Sequence, residues 1–156
     1  MSFRVGIGVD AHAFADGVPL VLGGALFDSP RGLAGHSDGD VITHALIDAV
    51  LGAAGLGDIG SLFPSNASTP AGISSLDLLR EALAQVRGAG YSVVNADCIL
   101  IGEEPRIGAR RSELERTLSE LAGAPVTVRA TTTDRLGFTG RGEGLAAQAV
   151  ALVEDD

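Results

Sequence analysis

The sequence has one cysteine, no tryptophan and few basic side chains. A single thiol, Cys98, closes no disulfide within the chain and excludes a thiolate-bound structural zinc site. It lies in an apolar, strand-like run and reads as a small buried hydrophobe without a redox role. With one Tyr and five Phe as the only aromatics, the core has to be built mainly from Ala, Val, Leu and Ile. Lys and Arg total 11 against 20 Asp and Glu, a net charge of −9, which leaves no clustered basic face for nucleic acid. No apolar run reaches the roughly 18 residues or more of a membrane-spanning helix. Neither nucleic acid nor membrane is therefore expected as a partner. The same acidity means that an anionic substrate needs local help from metal ions, backbone N–H groups or one or two Arg side chains.

What is present is globular composition, 46% apolar and 20% charged over 156 residues, which reads as a single domain, residues 1–156. A Gly- and Ala-rich domain of this size gains burial by oligomerising. Met1 to Arg4 lead straight into a strand pattern, with no basic n-region, apolar h-region or Arg-rich transit segment. The expected location is cytoplasmic.

Phe3 to His12 alternates as a strand, with Gly6 and Gly8 marking a close backbone approach or a bend. Pro19 to Phe27 reads as short strands broken at Gly23-Gly24, and Ser29 to Gly39 as loop. A helix is expected over Asp40 to Ala54 on the spacing of Val41, Ala45, Ile47, Val50 and Leu51, with Asp38 as its N-cap. Gly57 to Thr69 reads as irregular and mobile. Leu76, Leu79, Leu83 and Val86 define a second helix that stops at Gly88 or Gly90. Tyr91 to Ile101 is apolar on both alternations, as in a strand covered on both sides or by a neighbouring subunit. Ser112 and Glu115 suggest a capping box for a third helix ending at Gly123. Strands follow at Pro125 to Thr131 and Gly144 to Val153. The fold class expected is α+β, an α/β sandwich with one main β-sheet layer and helices on one face.

Residues two apart on a strand project from one face, so Asp10 and His12 reach one ion while Ala11 points away. His44 supplies a third ligand of the type that catalytic zinc uses, with the fourth position left open. On its own, an Asp-x-His pair at a strand end more often forms a surface or hydrogen-bonded pair. Asp40, His44 and Asp48 share a helix face, and Asp48 is expected to accept the second ring N–H of His44 and fix its tautomer. Asp40 caps the helix or faces water. Read alone, Thr131-Thr132-Thr133 is ordinary strand propensity, His36 an exposed loop histidine and Gly57-Asp58-Ile59-Gly60 a turn.

Four blocks nevertheless stand together in order: Gly8-Val9-Asp10-Ala11-His12, Gly35-His36-Ser37-Asp38-Gly39-Asp40 through His44, Gly57-Asp58-Ile59-Gly60 through Phe63-Pro64, and Ala130-Thr131-Thr132-Thr133-Asp134-Arg135 through Gly144. From Val5 to Val153 the chain closely resembles the 2-C-methyl-D-erythritol 2,4-cyclodiphosphate synthase family of the non-mevalonate isoprenoid pathway. The resemblance implies a homotrimer with a central cavity and active sites between subunits. It implies one zinc per subunit on Asp10, His12 and His44. A second divalent ion, Mg2+ or Mn2+, is implied at Asp134, where Glu is more usual. The implied reaction is that of a lyase acting on a cytidine-diphosphate substrate, 4-diphosphocytidyl-2-C-methyl-D-erythritol 2-phosphate. Its 2-phosphate attacks its own β-phosphorus, releasing CMP and closing the cyclic diphosphate.

By the same resemblance, His36 and Thr132 stabilise the transition state, and His36-Ser37 contacts the erythritol phosphate. Asp10 and His12 border the substrate, Asp58, Ile59 and Gly60 bind the erythritol hydroxyls, and Phe63, Pro64, Ser65, Asn66 and Ala67 form the loop over it. Thr131, Thr132 and Thr133 offer hydroxyls and N–H groups to phosphate. Gly102, Pro105, Arg106, Ile107 and Gly108 cradle cytosine largely through backbone groups. Phe138, Arg141 and Glu143 match residues of the trimer's central cavity, where isoprenoid diphosphates bind in some relatives, with Val9 in place of an aromatic. In fused relatives this unit follows a cytidylyltransferase domain, and this chain is expected to stand without one. Two other readings are a zinc phosphohydrolase of nucleotide diphosphates and a non-catalytic trimer that binds isoprenoid diphosphates.

Overall fold

The computed structural model describes residues 1–156. In chain order the elements are β1 (Phe3–Asp16), β2 (Leu20–Leu22), β3 (Ala25–Phe27), β4 (Arg31–Leu33), α1 (Val41–Ala54), α2 (Ile59–Leu62), α3 (Ser75–Gly88), β5 (Tyr91–Ile101), a 3-10 turn (Gly108–Arg110), α4 (Arg111–Ala122), β6 (Val126–Thr131), α5 (Gly137–Gly140) and β7 (Gly144–Asp155). Five strands form one sheet in the order β4-β1-β7-β5-β6, and β2 and β3 pair separately as a hairpin. β7 runs antiparallel to both β1 and β5, while β5 and β6 are parallel, joined through α4.

One face of the sheet carries the core. Leu145, Ala147, Ala149, Ala151 and Val153 of β7 and Ala96, Cys98 and Leu100 of β5 are buried under the helices. Burial pushes the Cys98 thiol up to about 12, as expected of an inert core residue. α1 is apolar almost all round, because it is sandwiched between the sheet and α3. The other face is open; along β1 it is apolar, with Val5, Ile7 and Val9 each more than half exposed, and on β5 and β6 it carries the Asp97–Arg129 ion pair at 3.0 Å. β5 is covered on one side only within a single chain.

Gly6 and Gly8 set how closely α1 approaches β1. A Cβ at Gly8 would lie 1.9 Å from the Ala45 carbonyl oxygen, and one at Gly6 would lie 2.1 Å from that of Ala49. Only hydrogen fits. Gly8→Ala is therefore expected to force helix and sheet apart at a cost of about 2 kcal/mol. A thermal unfolding scan would record that as a fall of about 4–8 °C.

Several local expectations give way to tertiary contacts. Asp40, not Asp38, is the N-cap of α1, accepting from the Thr43 N–H at 3.1 Å. The Ser112–Glu115 capping box does not form, because the 3-10 turn runs directly into α4 and leaves no extended cap residue. The Glu115 carboxylate instead accepts from the Val128 N–H of β6 at 2.8 Å. A capping box does occur at Asp58 and Ser61, opening α2 inside the segment expected to be irregular. β1 continues to Asp16 because β4, within the expected loop, pairs with its end from Phe14↔Leu33 to Asp16↔Arg31. No helix is long and apolar enough to cross a membrane.

Candidate metal centre and active site

Strand alternation and helix packing bring Asp10, His12 and His44 to one point. Asp10 Oδ2 lies 2.8 Å from His12 Nε2 and 3.2 Å from His44 Nδ1, and the two ring nitrogens are 3.2 Å apart. The three ligand atoms all fall within 4.8 Å of one another. His12 Nδ1 donates to the Ala34 carbonyl at 2.7 Å, which leaves Nε2 as the lone-pair nitrogen facing the cluster.

Two ring nitrogens and a carboxylate oxygen converging on one point call for positive charge between them. Burial alone would raise the Asp10 carboxyl, but hydrogen bonds and positive charge from His12 and His44 hold it at about 2. The hydrogen bond to Asp10 in turn raises His12 against the opposing effect of burial. A divalent ion satisfies the same preference, and the N, N, O donor set fits one that keeps an open position. The residues present fit the group.

Asp48 does not contact His44. Its Oδ1 accepts from the Ile59 N–H at 2.7 Å and anchors the start of α2. The expected role fails because both nitrogens of His44 are already engaged. Nδ1 faces Asp10 and His12, while Nε2 lies 2.9 Å from Ser37 Oγ and 2.8 Å from Ser75 Oγ. Ser75 was not readable as a site residue, since its sequence setting is only that of a helix start.

Above the cluster is a cavity of about 180 Å3. Its walls include His36 and Ser37 and, from the start of α2 and the loop after it, Ile59, Gly60, Phe63 and Ser65. Thr69 and Leu78, which the sequence did not single out, also line it. Thr69 contributes its carbonyl, to which His36 Nε2 donates at 2.5 Å, so His36 is tied to the loop rather than free in solvent. Asp58 caps α2 beside the wall, its carboxyl lowered by the Ser61 N–H. Pro64, Asn66 and Ala67 do not line the cavity, and the Asn66 side chain closes its own turn with Ser68.

The remaining candidates lie elsewhere in the chain. Ala11 pairs with Ala146, Ala146 with Ile101, and Ile101 with Thr131. Thr131 is thus level with the metal cluster but three strand spacings away, about 14 Å across the sheet. Thr131 ends β6, Thr132, Thr133 and Asp134 follow it, and Asp134 and Arg135 both adopt left-handed φ values, +52° and +66°. Such a non-glycine pair is strained and persists where the surroundings fix it. Here Glu103 accepts from the Arg135 N–H at 3.1 Å, joining this segment to the loop holding Gly102, Pro105, Arg106, Ile107 and Gly108. The Thr133 hydroxyl donates to the Leu136 carbonyl at 2.7 Å and holds the turn. The Ile107 side chain is buried in the core, and its carbonyl accepts from the Arg110 N–H at 2.9 Å, which leaves its N–H for any ligand. Phe138 is exposed, and Arg141 pairs with Glu143 at 2.5 Å.

Comparison with known proteins places the chain in a family. The family model described as YgbB family matches residues 3–154. A relative from Alkalilimnicola ehrlichii, named 2-C-methyl-D-erythritol 2,4-cyclodiphosphate synthase, is 52% identical over 158 residues, covering 98% of this chain and 96% of that protein. The bifunctional IspDF from Campylobacter jejuni superposes with a TM-score of 0.95 at 35% identity, over 99% of this chain and 43% of that one. A CDP-bound 2C-methyl-D-erythritol-2,4-cyclodiphosphate synthase superposes with a TM-score of 0.87 at 38% identity, over 97% of this chain and 100% of that one. With the family model matched over residues 3–154 and a 52% identical relative covered nearly end to end, the chain belongs to the YgbB family of 2-C-methyl-D-erythritol 2,4-cyclodiphosphate synthases.

Proposed function

We propose that this chain converts 4-diphosphocytidyl-2-C-methyl-D-erythritol 2-phosphate to 2-C-methyl-D-erythritol 2,4-cyclodiphosphate and CMP. The observation that carries this reading is the open Asp10, His12 and His44 cluster at the base of a cavity walled by His36 and Ser37. An oxygen of the 2-phosphate forms a bond to the β-phosphorus. The bond from that phosphorus to the bridging oxygen breaks, and CMP leaves with the electron pair. The phosphate nucleophile is already ionised near neutral pH, so the protein's work is positioning and charge neutralisation.

Zinc on Asp10, His12 and His44 would polarise the β-phosphate, and Mg2+ or Mn2+ at Asp134 would neutralise the α- and β-phosphates. His36, steadied by the Thr69 carbonyl, and Ser37 hold the erythritol phosphate. Asp58, Ile59 and Gly60 orient the diol at the start of α2, with Phe63 and Ser65 over it. The hydroxyl and N–H groups of Thr131 and Thr132 meet the diphosphate, and the backbone of the Gly102–Gly108 loop reads cytosine.

A homotrimer completes the site. The open apolar face of β1 supplies a surface to bury, and the 14 Å between the cluster and Thr131 is bridged when one subunit's Thr131–Asp134 segment meets its neighbour's cavity. Phe138, Arg141 and Glu143 then surround a central cavity suited to an isoprenoid diphosphate. We place the enzyme in the cytoplasm, where its single buried thiol stays reduced.

Phosphorus NMR with substrate and Mg2+ tests the reading. Cyclic diphosphate and CMP should appear together, without solvent oxygen, and both should cease on zinc chelation. Light scattering on the same sample should give the mass of three 15.8 kDa chains. An open-chain erythritol bisphosphate would establish the hydrolase reading instead.

A further inference from the structure

The far side of the His44 ring determines where its proton lies. Ser75, the first residue of α3, is fully buried, and its hydroxyl donates to Asp38 Oδ1. The Ser75 N–H donates to Asp38 Oδ2 at 3.0 Å, and the Asp40 N–H donates to Asp38 Oδ1 at 3.1 Å. An ionised carboxylate only accepts, and a hydroxyl has one proton to give. With that proton committed to Asp38, Ser75 Oγ meets His44 Nε2 at 2.8 Å as an acceptor, so Nε2 carries the ring hydrogen. The lone pair of the neutral ring is then on Nδ1. That is the nitrogen 3.2 Å from Asp10 Oδ2 and 3.2 Å from His12 Nε2.

We propose that Asp38 and Ser75 are positioning residues that hold His44 in its Nε2–H form, so that Nδ1 is presented to the divalent ion. The relay has a second effect, on Ser37. Ser37 Oγ accepts from the Gly39 N–H at 3.3 Å and lies 2.9 Å from the same Nε2. Because the ring nitrogen is already a donor, the Ser37 hydroxyl keeps its own proton free for a substrate phosphate oxygen. Without Ser75, Ser37 becomes the neighbouring hydroxyl able to donate to Nε2. The ring proton then moves to Nδ1, and one substitution removes both a metal ligand and a phosphate donor.

The inference rests on reading the cluster as a metal site, so the test separates the two. Zinc affinity of the full-length chain is measured by competition with a chromophoric chelator. Ser75→Ala should weaken it about tenfold to a hundredfold, the range for losing a partner behind a ligand. Histidine-labelled 15N NMR of the zinc-free wild type at about pH 8, above the ordinary His range, reads the tautomer directly. The expected proton is on Nε2, moving toward Nδ1 in Ser75→Ala. A wild type that binds no zinc overturns the metal reading and the relay together. A folded Ser75→Ala with wild-type zinc affinity, when the wild type does bind, overturns only the relay. Should Ser75→Ala fail to fold, the wild-type spectrum decides, since a proton on Nδ1 overturns the relay and one on Nε2 supports it.

Discussion

His12→Ala is expected to lose zinc and to lower kcat/KM about a thousandfold or more. Removing one of three ligands forfeits several kcal/mol of charge stabilisation at the β-phosphate, and each 1.36 kcal/mol is about tenfold in rate. The fold should survive, because the ring is only partly buried at the cavity edge and its one outside partner, the Ala34 carbonyl, remains accessible to water. The control is a pair of thermal scans. Zinc at about 100 times its dissociation constant stabilises the wild type by about 2.7 kcal/mol, a rise of about 5–10 °C for a chain of this size. The variant should show no rise with zinc and a metal-free midpoint near the wild type's. A variant that keeps both zinc and turnover would show that Asp10 and His44 suffice, and would sink the three-ligand site.

How far the sequence goes toward this site depends on whether a residue's role is set locally. Asp10 and His12 were legible because a period of two places them on one strand face, and α3 because Leu79, Leu83 and Val86 repeat at helical spacing. The helices on one face of a sheet followed from the element order, but the order β4-β1-β7-β5-β6 did not, since pairing joins residues distant in sequence. Asp48 failed as the partner of His44 for a related reason. Helix spacing brings two side chains to one face, but which partner wins is decided by what the rest of the fold delivers, here Ser75 from α3 to the ring and Ile59 from α2 to Asp48. Ser112 and Glu115 have the letters of a capping box, and the preceding 3-10 turn removes the geometry. The four blocks that carried the resemblance are spread over the chain. Within one subunit the fold gathers them into two clusters rather than one.

Asp40→Ala is expected to be the most destabilising of these substitutions, by about 4 kcal/mol, since stranding a partly compensated set of buried donors costs about 1–3 kcal/mol each. Asp40 has no exposed surface, and its carboxyl accepts from four donors: the N–H groups of Gly23, Gly24 and Thr43 and the Thr43 hydroxyl. Burial pushes this carboxyl up, and the hydrogen bonds from Thr43, Gly23 and Gly24 oppose that push. The group therefore does two jobs at once, capping α1 and clamping the β2–β3 turn onto its first residues. Alanine leaves the four donors with a void in place of an acceptor, and although Leu114 and Leu76 pack against the turn at Gly23 and Gly24, neither can accept its N–H groups. A fall of about 8–16 °C in the unfolding midpoint is expected on that estimate. Asp40→Asn keeps one acceptor oxygen but turns an amide N–H2 toward donors, so it should recover only part of the loss. Because Asp40 adjoins the Ser37 to Gly39 loop, turnover per folded molecule should also fall in both variants. Activity per folded molecule equal to wild type in Asp40→Asn would confine Asp40 to stability. Full stability in Asp40→Ala would show that water replaces the carboxylate and would remove the clamp from the account of how α1 is fixed over the sheet.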